Sequence, residues 1–147
     1  PSGHEAAISK LVEFNSSCSP VFVQRGGQAA LAMADDFVPR LAGHMRRCRD
    51  RLVDGLSSLS GIDVARPLGG MYAFFRVAGR QDSLALAKTL VAEAGLGLAP
   101  GAAFGAEGEG WLRWCFASQD PQRLVRGVER LKDWLTEARP EYERIGV

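Results

Sequence analysis

Seven apolar residues, Phe37, Leu41, Met45, Cys48, Leu52, Leu56 and Leu59, follow one another at steps of three and four. That spacing keeps them on one side of an α-helix and predicts a single long amphipathic helix. Asp35 or Asp36 is its expected N-cap, Pro39 sits where only a first turn accepts it, and Ser60-Gly61 is the stop. A helix with one apolar side must cover another layer, so the rest of the chain has to supply a sheet or further helices.

Both are legible downstream. Strands are expected near 62–66, 71–77, 96–99 and 111–117, with a Pro67-Leu68-Gly69-Gly70 turn between the first two. One helix is predicted from Ser83, read as its N-cap, to Gly95, with Leu84, Ala87, Leu90 and Val91 inward. Another starts with Asp120 as cap and Pro121 in the first position, and carries Leu124, Val128, Leu131 and Leu135 inward up to about Ala138. Upstream, residues 5–13 and 21–34 are helix-forming on either side of the polar turn 15–20. The order predicts a two-layer α/β sandwich: a small mixed or antiparallel sheet, helices on one face, and a long N-terminal connecting helix.

Composition narrows the class of function. With 147 residues, 46% hydrophobic and 24% charged, the chain is an ordinary globular protein able to bury one core. Its 18 Lys+Arg against 17 Asp+Glu leave +1, so no overall field recruits nucleic acid, and any anion site must be local. Cys18, Cys48 and Cys115 form no close pair, and with only His4 and His44 available no metal site assembles at the usual spacing, so a reducing, cytoplasmic compartment is expected. No apolar run approaches the roughly 20 residues of a membrane span. The chain opens Pro1-Ser2-Gly3 without a methionine, and a trimmed protein or a fragment of something longer is expected.

Arg113 is the residue that chemistry singles out. It lies between Leu112 and Trp114 in a run of Trp, Leu, Cys and Phe, and a guanidinium there requires a partner. Alternation places Trp111, Arg113 and Cys115 on one face and Leu112, Trp114 and Phe116 on the other. Two readings are open. An internal ion pair with Glu107 or Glu109 is one; a planar fork gripping a ligand carboxylate is the other. The glycine-rich loop 100–110 precedes a strand rather than a helix, so it is a mobile loop beside Arg113 and not a phosphate cradle. Arg46, Arg47, Arg49 and Arg51 spread around a helix as a solvated face, His44 lacks a partner at metal spacing, and Lys10 lacks an apolar cage.

Four stretches taken together carry a resemblance: residues 16–24 (SSCSPVFVQ), 67–75 (PLGGMYAFF), 98–105 (LAPGAAFG) and 108–117 (GEGWLRWCFA). In this order and at this spacing the chain resembles the C-terminal, small domain of class I/II, fold-type I, pyridoxal-phosphate-dependent aminotransferases. The resemblance implies residues 1–34 as an interdomain and dimer-interface segment and 35–147 as the small domain, with the large cofactor-binding domain outside this chain. It implies that Arg113 binds the substrate α-carboxylate and that the loop with Gly101 and Phe104 lines the substrate side of the pocket. It implies a homodimer in which Ser17 lies near the partner's cofactor phosphate, although Cys18 and Ser19 depart from the Asn and Pro often found there.

The substrates implied are an amino acid and a 2-oxo acid. Pyridoxal 5'-phosphate is implied for the full-length enzyme, and none is expected on this chain alone, because the family's Schiff-base lysine precedes it. This chain is therefore expected to be inactive by itself, with no nucleic acid and no membrane as partner. Two alternatives stand beside this reading. One is an aminotransferase-like, metabolite-sensing module of a transcription regulator, which a basic helix-turn-helix upstream would mark; the other is a non-enzymatic α/β binding domain.

Overall fold

A computed structural model describes residues 2–137. Its elements are a 3-10 turn at Ser2–His4, then α1 (Glu5–Asn15), α2 (Val21–Ala32), α3 (Ala34–Ser57), β1 (Ile62–Val64), β2 (Tyr72–Val77), α4 (Ser83–Ala94), β3 (Ala99–Pro100), 3-10 turns at Gly101–Phe104 and Ala106–Gly108, β4 (Trp111–Cys115) and α5 (Gln122–Glu137). The expected end of the last helix at Ala138 lies outside the described residues. Two compact units divide between Leu41 and Ala42.

The first unit is helical. Asn15 closes α1 by donating its side-chain amide to Leu11 O, and Ser17 follows with φ +55. Val21 opens α2 directly after Pro20, whose fixed φ suits a helix start. Its last turn runs through Met33 almost without a break into α3, since Met33 O accepts from Phe37 N at 2.9 Å. The long helix therefore starts at Ala34 without an Asp cap, and Asp35 and Asp36 sit in its first turn, where negative charge complements the helix dipole. Pro39 is its sixth residue, not a first-turn residue as expected, and it removes one N–H from the ladder there.

The second unit holds the sandwich. Its four strands run in the order β1-β2-β4-β3, and every pairing among them is antiparallel. β3 is only two residues long: Ala99 and Pro100 pair with Arg113 and Leu112, and the strand expected over 96–99 is not formed before Ala99. Leu96 instead turns into the core. Alternation places Ala73, Phe75 and Val77 of β2 with Leu112 and Trp114 of β4 on the buried face. From the helical layer, Cys48, Leu52, Val53 and Leu56 of α3, Leu86, Ala87 and Leu90 of α4, and Leu124, Val128, Leu131 and Trp134 of α5 meet them.

Local chemistry fixes each helix in that layer. A Cβ on Gly127 would stand 2.6 Å from the Trp114 ring, so only glycine lets α5 approach β4 this closely. The Trp134 indole N–H donates to Glu93 at 2.6 Å and ties α5 to α4. Asp120 caps α5 as expected, accepting from Gln122 N at 2.9 Å. For α4 the cap is Asp82, which accepts from Ala85 N at 2.8 Å, rather than Ser83. Its inward face is also rotated from the expected one: Leu86 is buried, whereas Leu84 and Val91 are exposed.

Candidate functional site

The face of the sheet opposite the helices carries Tyr72, Phe74 and Arg76 from β2 and Trp111, Arg113 and Cys115 from β4. Cross-strand register sets Phe74 opposite Arg113 and Ala99 on the other side of it, so the guanidinium rises from the middle of the sheet. Arg113 Cζ lies 3.7 Å from the centre of the Phe104 ring and 4.1 Å from that of Tyr72. Phe104 in turn packs edge-to-face on Phe74, with centroids 5.9 Å apart. Both rings lie within cation–π range of the guanidinium, whose N–H donors lie in its own plane. Among the described residues no ion pair or side-chain hydrogen bond takes up those donors.

The internal ion pair open at the sequence level is not formed. Glu109 Oε1 accepts instead from Ser83 N at 2.7 Å and Gly110 N at 3.0 Å. The Ser83 N–H, the Gly110 N–H and the Ser83 hydroxyl together hold the Glu109 carboxyl below the usual carboxylate range. Ser83, fully buried, also accepts from Ala102 N at 3.3 Å.

The glycine-rich loop is folded tightly on itself. A Cβ on Gly101 would sit 2.0 Å from Gly108 O and 2.7 Å from Trp111 O, and one on Gly108 would sit 2.2 Å from Gly101 O. Both obstacles are backbone, so these two positions admit only glycine. Gly101 is thus a buried backbone contact beneath the loop, while Phe104, half exposed, is the residue that the loop presents to Arg113.

The remaining candidates have other roles or other places. Ser17 belongs to the first unit, where its hydroxyl lies 3.4 Å from Glu13 O. Lys10, Lys88 and Lys132, the three lysines of the sequence, are all exposed on helices, so none provides the enclosed amine that a Schiff base with pyridoxal phosphate requires. The described residues therefore offer no covalent attachment point for that cofactor. Arg49 is not part of a solvated basic face: it pairs with Asp50 at 2.8 Å and donates to Pro67 O. Arg66 bridges Asp50 and Asp54, securing the segment after β1 to α3. His44 Nε2 lies 2.7 Å from Ser118 O, a structural link between α3 and the loop after β4. Among the described residues no group of three or more His, Cys, Asp or Glu is placed to hold a metal, and no helix is long and apolar enough to cross a membrane.

Sequence reasoning missed Tyr72 and Ser83. Alternation along β2 exposes Tyr72, but its contact with Arg113 depends on the cross-strand register. Ser83 was visible only as a capping residue, because a bond between residues 83 and 109 has no local signature.

The sequence pattern of the family described as "Aminotransferase class I and II" matches residues 2–131. A probable aspartate/prephenate aminotransferase of Aquifex aeolicus is 33% identical over 143 residues, covering 93% of this chain and 36% of that protein. An LL-diaminopimelate aminotransferase of Natranaerobius thermophilus is 32% identical over 137 residues, covering 91% and 35%. Among solved structures, an aromatic aminotransferase from Pyrococcus horikoshii superimposes with a TM-score of 0.82 at 26% identity, over 88% of this chain and 35% of that one. The chain therefore spans about a third of the length of the relatives it matches.

Proposed function

This chain belongs to the class I and II aminotransferases, and from that premise we propose that it is the small domain of a pyridoxal-phosphate enzyme in which Arg113 grips the substrate α-carboxylate. The observation that carries the reading is the state of that guanidinium: within cation–π range of Phe104 and Tyr72, with no ion pair or side-chain hydrogen bond on its donors among the described residues. A planar fork held in this way accepts a carboxylate edge-on through two parallel bonds. Such charge-assisted bonds contribute about 1.5 to 3 kcal/mol each, and their direction fixes the orientation of the substrate.

The remaining assignments follow from membership of the family. The substrates are an amino acid and a 2-oxo acid, both of which present a carboxylate next to the reacting carbon. Phe104 and the turn at Gly101 form the wall beside it. Residues 1–34 form the interdomain and dimer-interface segment of a homodimer, with Ser17 near the partner's cofactor phosphate. The cofactor's amine attachment belongs to the remaining two thirds of the full-length protein, since no lysine here is enclosed, and this chain alone is inactive.

The test is Arg113→Lys in the full-length enzyme, which keeps the charge and removes the fork. For an amino acid, kcat/KM is expected to fall roughly 10- to 100-fold, while an amine lacking a carboxylate reacts as with the unmodified enzyme. Equal losses on both substrates, or none on either, would overturn the assignment.

A further inference from the structure

We propose that Glu109 and Ser83 are positioning residues for this site: together they hold the loop that sets the Phe104 ring against Arg113, and thereby tune affinity for the substrate carboxylate. The inference rests on the reading of Arg113 above.

Both ends of the loop converge on one point. At the start, Ala102 N–H donates to Ser83 Oγ at 3.3 Å, two residues before Phe104 in the same 3-10 turn. At the end, Glu109 Oε1 accepts from Gly110 N at 3.0 Å and from Ser83 N at 2.7 Å. Ser83 is the first residue of α4, which Asp82 caps independently, and its side chain is fully buried. The two loop ends are thus pinned to a fixed helix terminus, and the mutual close approach of Gly101 and Gly108 leaves the segment between them little room to rearrange.

Only Phe104 projects from this pinned loop onto the guanidinium, at 3.7 Å. Because bonds to a carboxylate are stronger than those to a neutral acceptor, Glu109 is the dominant anchor and Ser83 the lesser one. Releasing either lets the ring shift, and with it the plane in which Arg113 offers its donors. A shift of about an ångström in a positioning contact is enough to be read in kinetics.

The test uses the full-length enzyme with an amino acid and with an amine lacking a carboxylate. Glu109→Ala is expected to raise KM for the amino acid roughly 5- to 20-fold with kcat within about twofold, and to leave the amine unchanged. Glu109→Gln, which keeps an acceptor oxygen in place, restores most of the loss, and Ser83→Ala raises the same KM by a smaller factor. Should Glu109→Ala fail to fold, Ser83→Ala decides the matter: an amino-acid KM raised with the amine unaffected supports the positioning role, and an unchanged one overturns it. An amino-acid KM unchanged in all soluble variants, or one raised equally for the amine, would overturn the proposal. Arg113→Lys in the same assay separates the two levels. If it raises the amino-acid KM while the Glu109 and Ser83 variants do not, only the positioning role fails; if it too leaves KM unchanged, the carboxylate assignment fails and the positioning role with it.

Discussion

Arg113 stood out in the sequence because a guanidinium inside WLRWCFA has to be compensated, and the compensation proved to be aromatic. Phe104 is named at the sequence level through the resemblance and Tyr72 is not, and neither ring's contact with Arg113 has a fixed sequence spacing: Tyr72 reaches it through strand register and Phe104 through the folding of a loop. The glycines of that loop make a sharper residue-level prediction. Gly101→Ala drives a methyl group into the Gly108 and Trp111 carbonyls, which have no freedom to yield. The variant is expected to open the loop, so that limited proteolysis cuts between residues 101 and 110, where the unmodified chain resists. Unchanged resistance would contradict the tight packing of the two glycines.

Among the elements, α4 separates what periodicity can and cannot decide. Its existence and its Gly95 stop were readable, and Gly95 does take φ +63. Its inward face was not, because apolar residues occur on several sides of the helix and the pattern permits two orientations. The cap shifted by one residue because Asp82 and Ser83 are both good caps; the buried site at Ser83 settled the competition in favour of Asp82. Asp82→Ala is accordingly expected to cost about 0.5 to 2 kcal/mol, measured by denaturant unfolding.

The cap of α5 carries a pH dependence. The Gln122 N–H, then Arg126, hold the Asp120 carboxyl below its ordinary range. A carboxyl lowered on folding contributes stability above its unfolded pKa and loses it as pH falls through the folded one. Asp120→Asn should therefore be less stable than the unmodified chain near neutrality, and the gap should close below about pH 4. A gap that persists at low pH would show that the charge is not what matters.

At the scale of the whole molecule, the strand and helix order is enough to predict a two-layer sandwich with a mixed or antiparallel sheet, of which the structure forms the antiparallel one, and the family resemblance is readable from four short stretches. Within the first unit, almost every residue from 3 to 41 is exposed. Phe14 and Phe22 are each 78% exposed and Leu31 77%, large apolar side chains of the kind that mark an interaction surface where they adjoin. The 147-residue chain is expected to self-associate in sedimentation experiments, and Phe14→Ser with Phe22→Ser to shift it toward monomer. A monodisperse monomer before substitution would count against that surface being an interface. The most direct measurement is a crystal structure of the full-length protein with an unreactive amino-acid analogue bound. Both oxygens of its α-carboxylate are predicted to lie about 2.7 to 2.9 Å from two Arg113 nitrogens, with Phe104 and Tyr72 still packed on the guanidinium. A carboxylate held by a different cation, with Arg113 turned to an acid of the protein itself, would contradict the assignment.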